Sequence, residues 1–130
     1  MQVESYMSHA PVTIRDDTDY WKASEIMQEK NLHHLPVVGS DNSVIGIVAR
    51  RDLQIAATHF HEAPVEIGDV MHQPVTTISS AVNLIAAIEH LINQGIGCLP
   101  VTKEGGNELV GIITEIDMLR ALRDMLAKQA

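Results

Sequence analysis

Apolar residues recur every three or four positions in two stretches of the chain, and this spacing is typical of helices with one buried face. The first stretch follows Asp17 and Thr18, either of which can cap a helix, and it ends near Asn31. The second stretch follows Ser79 and Ser80, which are candidate caps in the same way. The apolar stripes consist of Tyr20, Ala23, Ile26 and Met27 in the first helix and of Leu84, Ile88, Leu91 and Ile92 in the second.

Strand patterns surround each predicted helix. A short extended stretch is predicted at residues 12–14, and hairpins are predicted at 34–49 and 98–114, where β-branched runs flank a turn that contains Gly, Asn or Asp. Gly95 provides the left-handed residue that ends the second helix. Another helix follows each hairpin and is clearest at the C terminus. The apolar edge of this last helix consists of Met118, Leu119, Leu122, Met125 and Leu126.

The same order of elements, β-α-β-β-α, occurs twice, which indicates an internal repeat. In the segments "PVTI…LPVV…GIVARRD" and "PVTTI…LPVT…GIITEID", Ile14 aligns with Ile78 and Gly46 aligns with Gly111. A single copy is too small to bury a sufficient core, so the two copies are expected to pack as one α/β (α+β) module about a pseudo-twofold axis. The predicted division is repeat 1 at residues 1–57, a linker at 58–66 and repeat 2 at 67–130.

Composition limits the classes of partner. The 130-residue chain is 45% hydrophobic and 20% charged, which is typical of a globular domain. Its formal net charge of −8 and the lack of a Lys/Arg block argue against nucleic acid or an anionic membrane surface as partner. We expect neither a membrane span nor a signal peptide. The single cysteine, Cys98, cannot form an internal disulfide, so a cytoplasmic location is expected.

The ordered pieces "YM…PVTI…LPVV…GIVARRD" and "DVM…PVTTI…LPVT…GIITEID" resemble the CBS domain pair, or Bateman module, over nearly the whole chain. No single piece is specific, whereas the full set at matched spacing, found twice, is highly specific. The resemblance implies two tandem CBS repeats, in the stand-alone form common in bacteria, that bind an adenosine-containing ligand and regulate another, unidentified protein. It also implies a homodimer of flat discs, which agrees with the exposed-looking Leu119, Leu122 and Leu126.

Two residues of "GIITEID" suit a ribose phosphate. Thr114 and Asp117 are three apart where a strand turns into a helix, so both side chains can point the same way beside the N–H groups of the new helix. Thr114 can donate to a phosphate, and a carboxylate can accept from both ribose hydroxyls. The structural alternative is that Asp117 caps the helix and Thr114 ends the strand. Gly111 lies in the same strand, where a side chain would obstruct close approach.

The resemblance implies a ligand cleft shared between the copies, so that the base side of each site comes from the other repeat. In the second, weaker site Ala49 replaces the hydroxyl residue, although Arg50 and Arg51 can supply charge to phosphates. This second site can therefore be empty, and core packing is the alternative for every aliphatic member. Implied site 1 consists of Val12, Ile14, Leu32, His34, Ile112, Thr114 and Asp117, and implied site 2 consists of Val75, Ile78, Ile96, Arg51 and Asp52.

No catalytic or metal site is predicted. His59 and His61 have the spacing of two metal ligands, but no Cys or acidic cluster nearby completes a tetrahedral set. Cys98 precedes a buried-looking strand and has no assignable activating base, which favours a core position. The sequence offers no nucleophile–base pair and no phosphate-cradling glycine loop, so an enzyme is not expected. We expect a regulatory module for AMP, ADP, ATP, S-adenosylmethionine or NAD, without a catalytic cofactor; a ligand-free dimerisation or scaffold module is the alternative.

Overall fold

A computed structural model of the protein describes residues 1–59 and 65–129. The chain forms two compact units, one of residues 12–75 and one that joins residues 1–11 to residues 76–130. Each unit combines a small sheet with helices, which confirms the predicted mixed α/β class. The boundaries of these two units differ from those of the predicted repeats. Most of the predicted linker, residues 58–66, lies outside the described residues.

The order of elements follows the predicted repeat in both halves of the chain. A 3-10 turn, Val3–Ser5, precedes the first strand. The strands are β1 (Ser8–His9), β2 (Ile14–Arg15), β3 (His34–Val38), β4 (Val44–Ala49), β5 (Ile78–Ser79), β6 (Cys98–Thr102) and β7 (Leu109–Thr114). The helices are α1 (Tyr20–Lys30), α2 (Arg50–His59), α3 (Ile67–Val70), α4 (Leu84–Gln94) and α5 (Glu115–Gln129). Both predicted hairpins, β3–β4 and β6–β7, are confirmed.

The two sheets share a three-stranded pattern. In the unit of residues 12–75, β2 is parallel to β3 and β3 is antiparallel to β4. In the other unit β5, β6 and β7 pair in the same way, and β1 adds a fourth strand antiparallel to β7. The central hairpin strands bury most of their apolar side chains because helices cover one sheet face. Fully buried strand residues include Leu35, Pro36, Val37, Val48, Leu99, Val101 and Ile113.

The helix starts differ from the predicted caps. Helix α1 begins after Asp19, whose side chain makes no capping bond, and α4 begins after Asn83, whose side chain accepts from the Ile85 N–H at 2.9 Å. The predicted serine cap was wrong because Ser79 is the last residue of β5 and its hydroxyl accepts from the N–H of Ala81 instead. A turn after β2 likewise occupies the two residues predicted to cap α1.

The helix ends are as predicted. Asn31 follows α1 and Gly95 follows α4, both in the left-handed conformation, with φ of 53° and 63°. The apolar stripes of these helices face the cores through Ala23, Met27, Leu84, Ala87 and Leu91. Ile92, predicted to share the stripe of α4, is 72% exposed, so that part of the prediction was wrong.

Gly111 allows Met7 and Ser8 to lie close to the backbone of β7, and a close approach at this glycine was predicted from the sequence. A Cβ on this glycine would lie 2.5 Å from Met7 Sδ and 2.8 Å from the carbonyl oxygen of Ser8. The corresponding Cβ on Gly46 would lie 2.5 Å from Met71 Sδ and 3.0 Å from the carbonyl oxygen of the next residue. In each unit a methionine therefore packs against the glycine in the second strand of the hairpin. Any larger residue at the glycine position would collide with this methionine.

Candidate ligand site at two strand-to-helix corners

Asp117 lies where β7 turns into α5, a segment named the Asp117 corner (residues 114–120). Its Oδ2 accepts from the backbone N–H of Thr114 at 2.8 Å and from the Thr114 hydroxyl at 3.1 Å. In return, the backbone N–H of Asp117 lies 3.4 Å from the Thr114 hydroxyl oxygen. The two predicted site residues are thus brought together, and they cap the helix as the structural alternative expected.

Arg120 holds the other oxygen of the same carboxylate. Its guanidinium donates to Asp117 Oδ1 at 3.1 Å, while the Arg120 side chain is 57% exposed and that of Asp117 only 2%. Among the residues that the structure describes, Asp117 is the buried charged side chain. A buried carboxylate is tolerated only where donors replace the lost water, and here three donors from two residues do so.

Asp52 occupies the equivalent position where β4 turns into α2, a segment named the Asp52 corner (residues 49–55). Its Oδ2 accepts from the backbone N–H of Ala49 at 2.8 Å, as in the other corner. Its Oδ1 lies 2.9 Å from Nε2 of His72, whose side chain is 69% exposed. Ala49 supplies no hydroxyl, and the Asp52 side chain is 17% exposed, so this carboxylate is the more accessible of the two.

The two arginines next to Asp52 have different surroundings. The guanidinium of Arg50 donates to the carbonyl oxygens of Leu32 at 2.8 Å and of Met27 at 3.2 Å. These carbonyls lie at the end of α1, where helices leave acceptors without intrahelical donors. Arg50 therefore caps α1 instead of pointing to a phosphate, whereas Arg51 is exposed at the surface.

Most apolar residues of the two implied sites, namely Val12, Ile14, Leu32, Ile78 and Ile96, lie in or against the cores of their own units. Ile14 and Ile78 are 5% and 6% exposed and belong to the hydrophobic clusters, which is the core position named as the alternative for them. The remaining uncharged members are half-buried: Val12, Leu32, His34, Val75, Ile96, Ile112 and Thr114. Residues 12–34 of implied site 1 belong to one compact unit and residues 112–117 to the other, so their joint role stays a prediction.

Cys98 and the two histidines at positions 59 and 61 were the remaining chemical candidates. Cys98 is buried at the start of β6, and burial, with a smaller contribution from the charge of Glu115, raises the pKa of its thiol to about 12. His61 lies outside the described residues. Within residues 1–59 and 65–129, no group of three or more His, Cys, Asp or Glu could hold a metal ion, and no helix is long and apolar enough to cross a membrane.

Sequence reasoning did not find Arg120 or His72 as partners of the corner carboxylates. The spacing of Asp117 and Arg120, three apart on a helix, is a recognisable ion-pair signal that could have indicated the first. His72 has no such signal, because it reaches Asp52 through a tertiary β-bridge in which it exchanges two backbone hydrogen bonds with Ile47, of 2.8 and 3.2 Å.

Curated relatives match most of this chain but extend beyond it. An uncharacterised 17.7 kDa protein of Acidianus ambivalens is 34% identical over 109 residues, which are 83% of this chain and 65% of the relative. The inosine-5′-monophosphate dehydrogenase of Thermoplasma acidophilum is 36% identical over 107 residues, which are 82% of this chain and 21% of that enzyme. The chain thus spans between about a fifth and about two thirds of the length of these relatives.

Solved structures match the whole fold. A putative acetoin utilization protein (AcuB) from Vibrio cholerae has a TM-score of 0.84 at 29% identity, over 99% of this chain and 95% of that one. The CBS domain pair of protein MJ0100, in complex with 5′-methylthioadenosine and S-adenosyl-L-methionine, has a TM-score of 0.86 at 22% identity, over 96% and 98%. CBSX2 in complex with AMP has a TM-score of 0.80 at 22% identity, over 95% and 97%.

A protein-family model describes the two halves of the sequence separately. The model of the CBS domain matches residues 3–58 and again residues 67–124, which together cover most of the chain. Both matched segments contain one strand-to-helix corner with its aspartate. The chain therefore belongs to the CBS domain family, of which it contains two tandem copies.

Proposed function

We propose that this protein is a regulatory module that binds an adenosine-containing ligand at the Asp117 corner. The observation that carries the proposal is the Thr114–Asp117 pair, a carboxylate and a hydroxyl held 3.1 Å apart at the start of α5. A fixed carboxylate suits the two hydroxyls of a ribose, and the start of a helix favours the negative charge of a phosphate. Structures of the same fold that contain AMP or S-adenosyl-L-methionine support this class of ligand.

The Asp52 corner is proposed as a second, weaker site. It keeps the aspartate but lacks the hydroxyl, and Arg50 is engaged at the end of α1. Arg51 is the cation left for a phosphate there, and its exposure makes its attraction sensitive to salt. The assignment of the base-side residues in both sites stays a prediction from the resemblance, as do a cytoplasmic location and a regulated partner protein.

Titration of the purified chain with AMP, ADP, ATP, S-adenosylmethionine and NAD, followed by calorimetry, tests the proposal. Asp117→Ala should weaken binding about tenfold to a hundredfold, because hydrogen bonds to a charged group contribute about 1.5–3 kcal/mol. Glu104→Ala, which removes an exposed charge in the β6–β7 turn, is the matched control and should bind normally. Asp117→Asn is a second variant, because its amide oxygen can still accept the hydrogen bond from the Thr114 N–H.

A 2′-deoxy nucleotide separates ribose recognition from general loss of structure. The wild type should bind the deoxy form more weakly than the ribo form, whereas Asp117→Ala should bind the two alike. If Asp117→Ala binds normally, or if the wild type never distinguishes the two sugars, the ribose assignment is wrong. We propose no catalytic activity or catalytic cofactor, and turnover of any of these nucleotides by the pure chain would contradict that part.

A ligand-free dimerisation or scaffold module is the second candidate, and exposed apolar side chains on α5 favour it. Leu119, Leu122 and Leu126 are 58%, 49% and 56% exposed, at a spacing that lines one side of the helix. Such a stripe suits association with a second copy, and a homodimer is compatible with both candidates. Light scattering should give a dimer that Leu122→Glu dissociates. A scaffold should bind none of the five nucleotides, which distinguishes it from the first candidate.

A further inference from the structure

The carboxylate of Asp117 is nearly saturated with protein donors before any ligand arrives. A carboxylate offers about four acceptor positions, two on each oxygen. Thr114 occupies both positions on Oδ2, through its N–H and its hydroxyl, and Arg120 occupies one on Oδ1. One position on Oδ1 therefore remains, and two ribose hydroxyls can bind Asp117 only if Arg120 leaves.

Arg120 is the donor that can exchange with a ligand, because its own side chain is exposed to water. The Thr114 bonds are part of the helix cap, whereas the Arg120 side chain is 57% exposed and joins the carboxylate through one hydrogen bond. Water can solvate the released guanidinium, whereas the buried carboxylate that it leaves needs a replacement donor, which a ribose hydroxyl supplies. The sequence itself supplies a comparison, because Ile55 occupies the position of Arg120 in the Asp52 corner and cannot form this pair.

One turn further along α5, the carboxylate of Asp124 already contacts two other side chains. Asp124 Oδ2 accepts from the Tyr6 hydroxyl at 3.0 Å and its Oδ1 accepts from Arg123 at 3.2 Å. The hydrogen bond from Tyr6, followed by that from Arg123, lowers the pKa of the Asp124 carboxyl below its ordinary value. Because long helical side chains point toward the helix start, the freed guanidinium stays beside the Asp117 corner.

From this geometry we propose that Arg120 determines the charge preference of the Asp117 corner, so that the corner selects adenosine ligands that carry a phosphate over uncharged nucleosides. The inference rests on the proposed function. Ribose hydroxyls take the Arg120 position on Asp117, and the released guanidinium pairs with the ligand phosphate, for which its planar donor fork is suited. An uncharged nucleoside displaces the same ion pair and offers the arginine no replacement.

Calorimetric titration with adenosine and AMP tests this selection, in an Asp52→Asn background that weakens the other corner. Arg120→Gln should weaken AMP binding about tenfold, because a charged hydrogen bond is lost, and should strengthen adenosine binding about twofold to fivefold, because no ion pair must be broken. Arg120→Lys should restore part of the AMP affinity. Added salt should weaken AMP binding to the Arg120 protein more than to Arg120→Gln.

Arg123→Gln is the matched control, since Arg123 is exposed, pairs with Asp124 and lies one turn further from Asp117. Its AMP-to-adenosine affinity ratio should equal that of the parent protein. If Arg120→Gln changes AMP and adenosine affinity by the same factor, the selection role is wrong while the proposed function stands. If the parent protein binds neither compound, the role of Arg120 is wrong, and the proposed function fails as well if ADP, ATP, S-adenosylmethionine and NAD do not bind either.

Discussion

In both the Asp117 corner and the Asp52 corner, the aspartate side chain accepts a hydrogen bond from a main-chain N–H. The side chains around this hydrogen bond differ between the two corners. In both, the aspartate accepts at 2.8 Å from the N–H of the residue three positions earlier. The second carboxylate oxygen contacts Arg120 in one corner and His72 in the other, and a hydroxyl supports only Asp117. The hydrogen bond between the aspartate and the main chain at the start of the helix is thus retained in both copies. The side chains that would contact a ligand have diverged.

The charges of the two corners also differ. The first helical turn of the Asp52 corner contains Arg50 and Arg51, whereas that of the Asp117 corner contains Glu115 and Ile116. The Asp117 corner is therefore acidic apart from Arg120, and the Asp52 corner is basic. The comparison teaches that a duplicated fold can keep two equivalent helix starts while the charged and polar side chains beside them diverge.

The largest expected effect is a difference in the free energy of unfolding between variants of the two aspartates. Asp117→Ala should lower the free energy of unfolding by about 2–3 kcal/mol, since it removes a helix cap and a buried hydroxyl bond. Asp52→Ala should cost about 1–2 kcal/mol, because it removes the cap and a contact to a largely exposed histidine. Urea denaturation of both ligand-free variants measures the difference. Equal losses would indicate that the Thr114 hydroxyl and Arg120 add nothing to the cap.

A difference of similar size is expected between the two strand glycines. Gly111→Ala should destabilise the protein by about 2–3 kcal/mol, because the new methyl group would collide with Met7 and with the backbone oxygen of Ser8. Gly46→Ala should cost about 1–2 kcal/mol, because its nearest backbone atom is 3.0 Å away and Met71 can adjust. Thermal unfolding followed by circular dichroism measures both. A larger loss for Gly46→Ala would contradict this reading of the two contacts.

The smallest effect concerns the first residue of each corner helix. Arg50→Ala should cost about 1 kcal/mol, because the carbonyl oxygens of Leu32 and Met27 lose the guanidinium donor, although Met27 still accepts from the Leu32 N–H. Glu115→Ala should change stability by less than about 0.5 kcal/mol, since its side chain is exposed. Chemical denaturation of the two variants provides the measurement. If Arg50→Ala is as neutral as Glu115→Ala, the arginine is free to serve a phosphate.

Sequence patterns alone predicted the repeated architecture of this protein. The hairpins, the end of α1 near Asn31, the left-handed end of α4 at Gly95 and the close approach at Gly111 are confirmed. These features depend on spacing and on residue types that are nearly obligatory for a local conformation, so they can be recognised without knowledge of distant contacts. The pairing of Thr114 with Asp117 was accessible for the same reason, because three residues separate them.

Tertiary structure decided the features that depend on residues far apart in the chain. Segment 1–11 joins the unit of residues 76–130, where β1 pairs with β7, and no local pattern specifies that partner. His72 reaches Asp52 across twenty residues, and Arg50 finds acceptors at the end of α1. Polar side chains such as these have several possible partners of similar energy, and only the packed backbone determines which donor meets which acceptor.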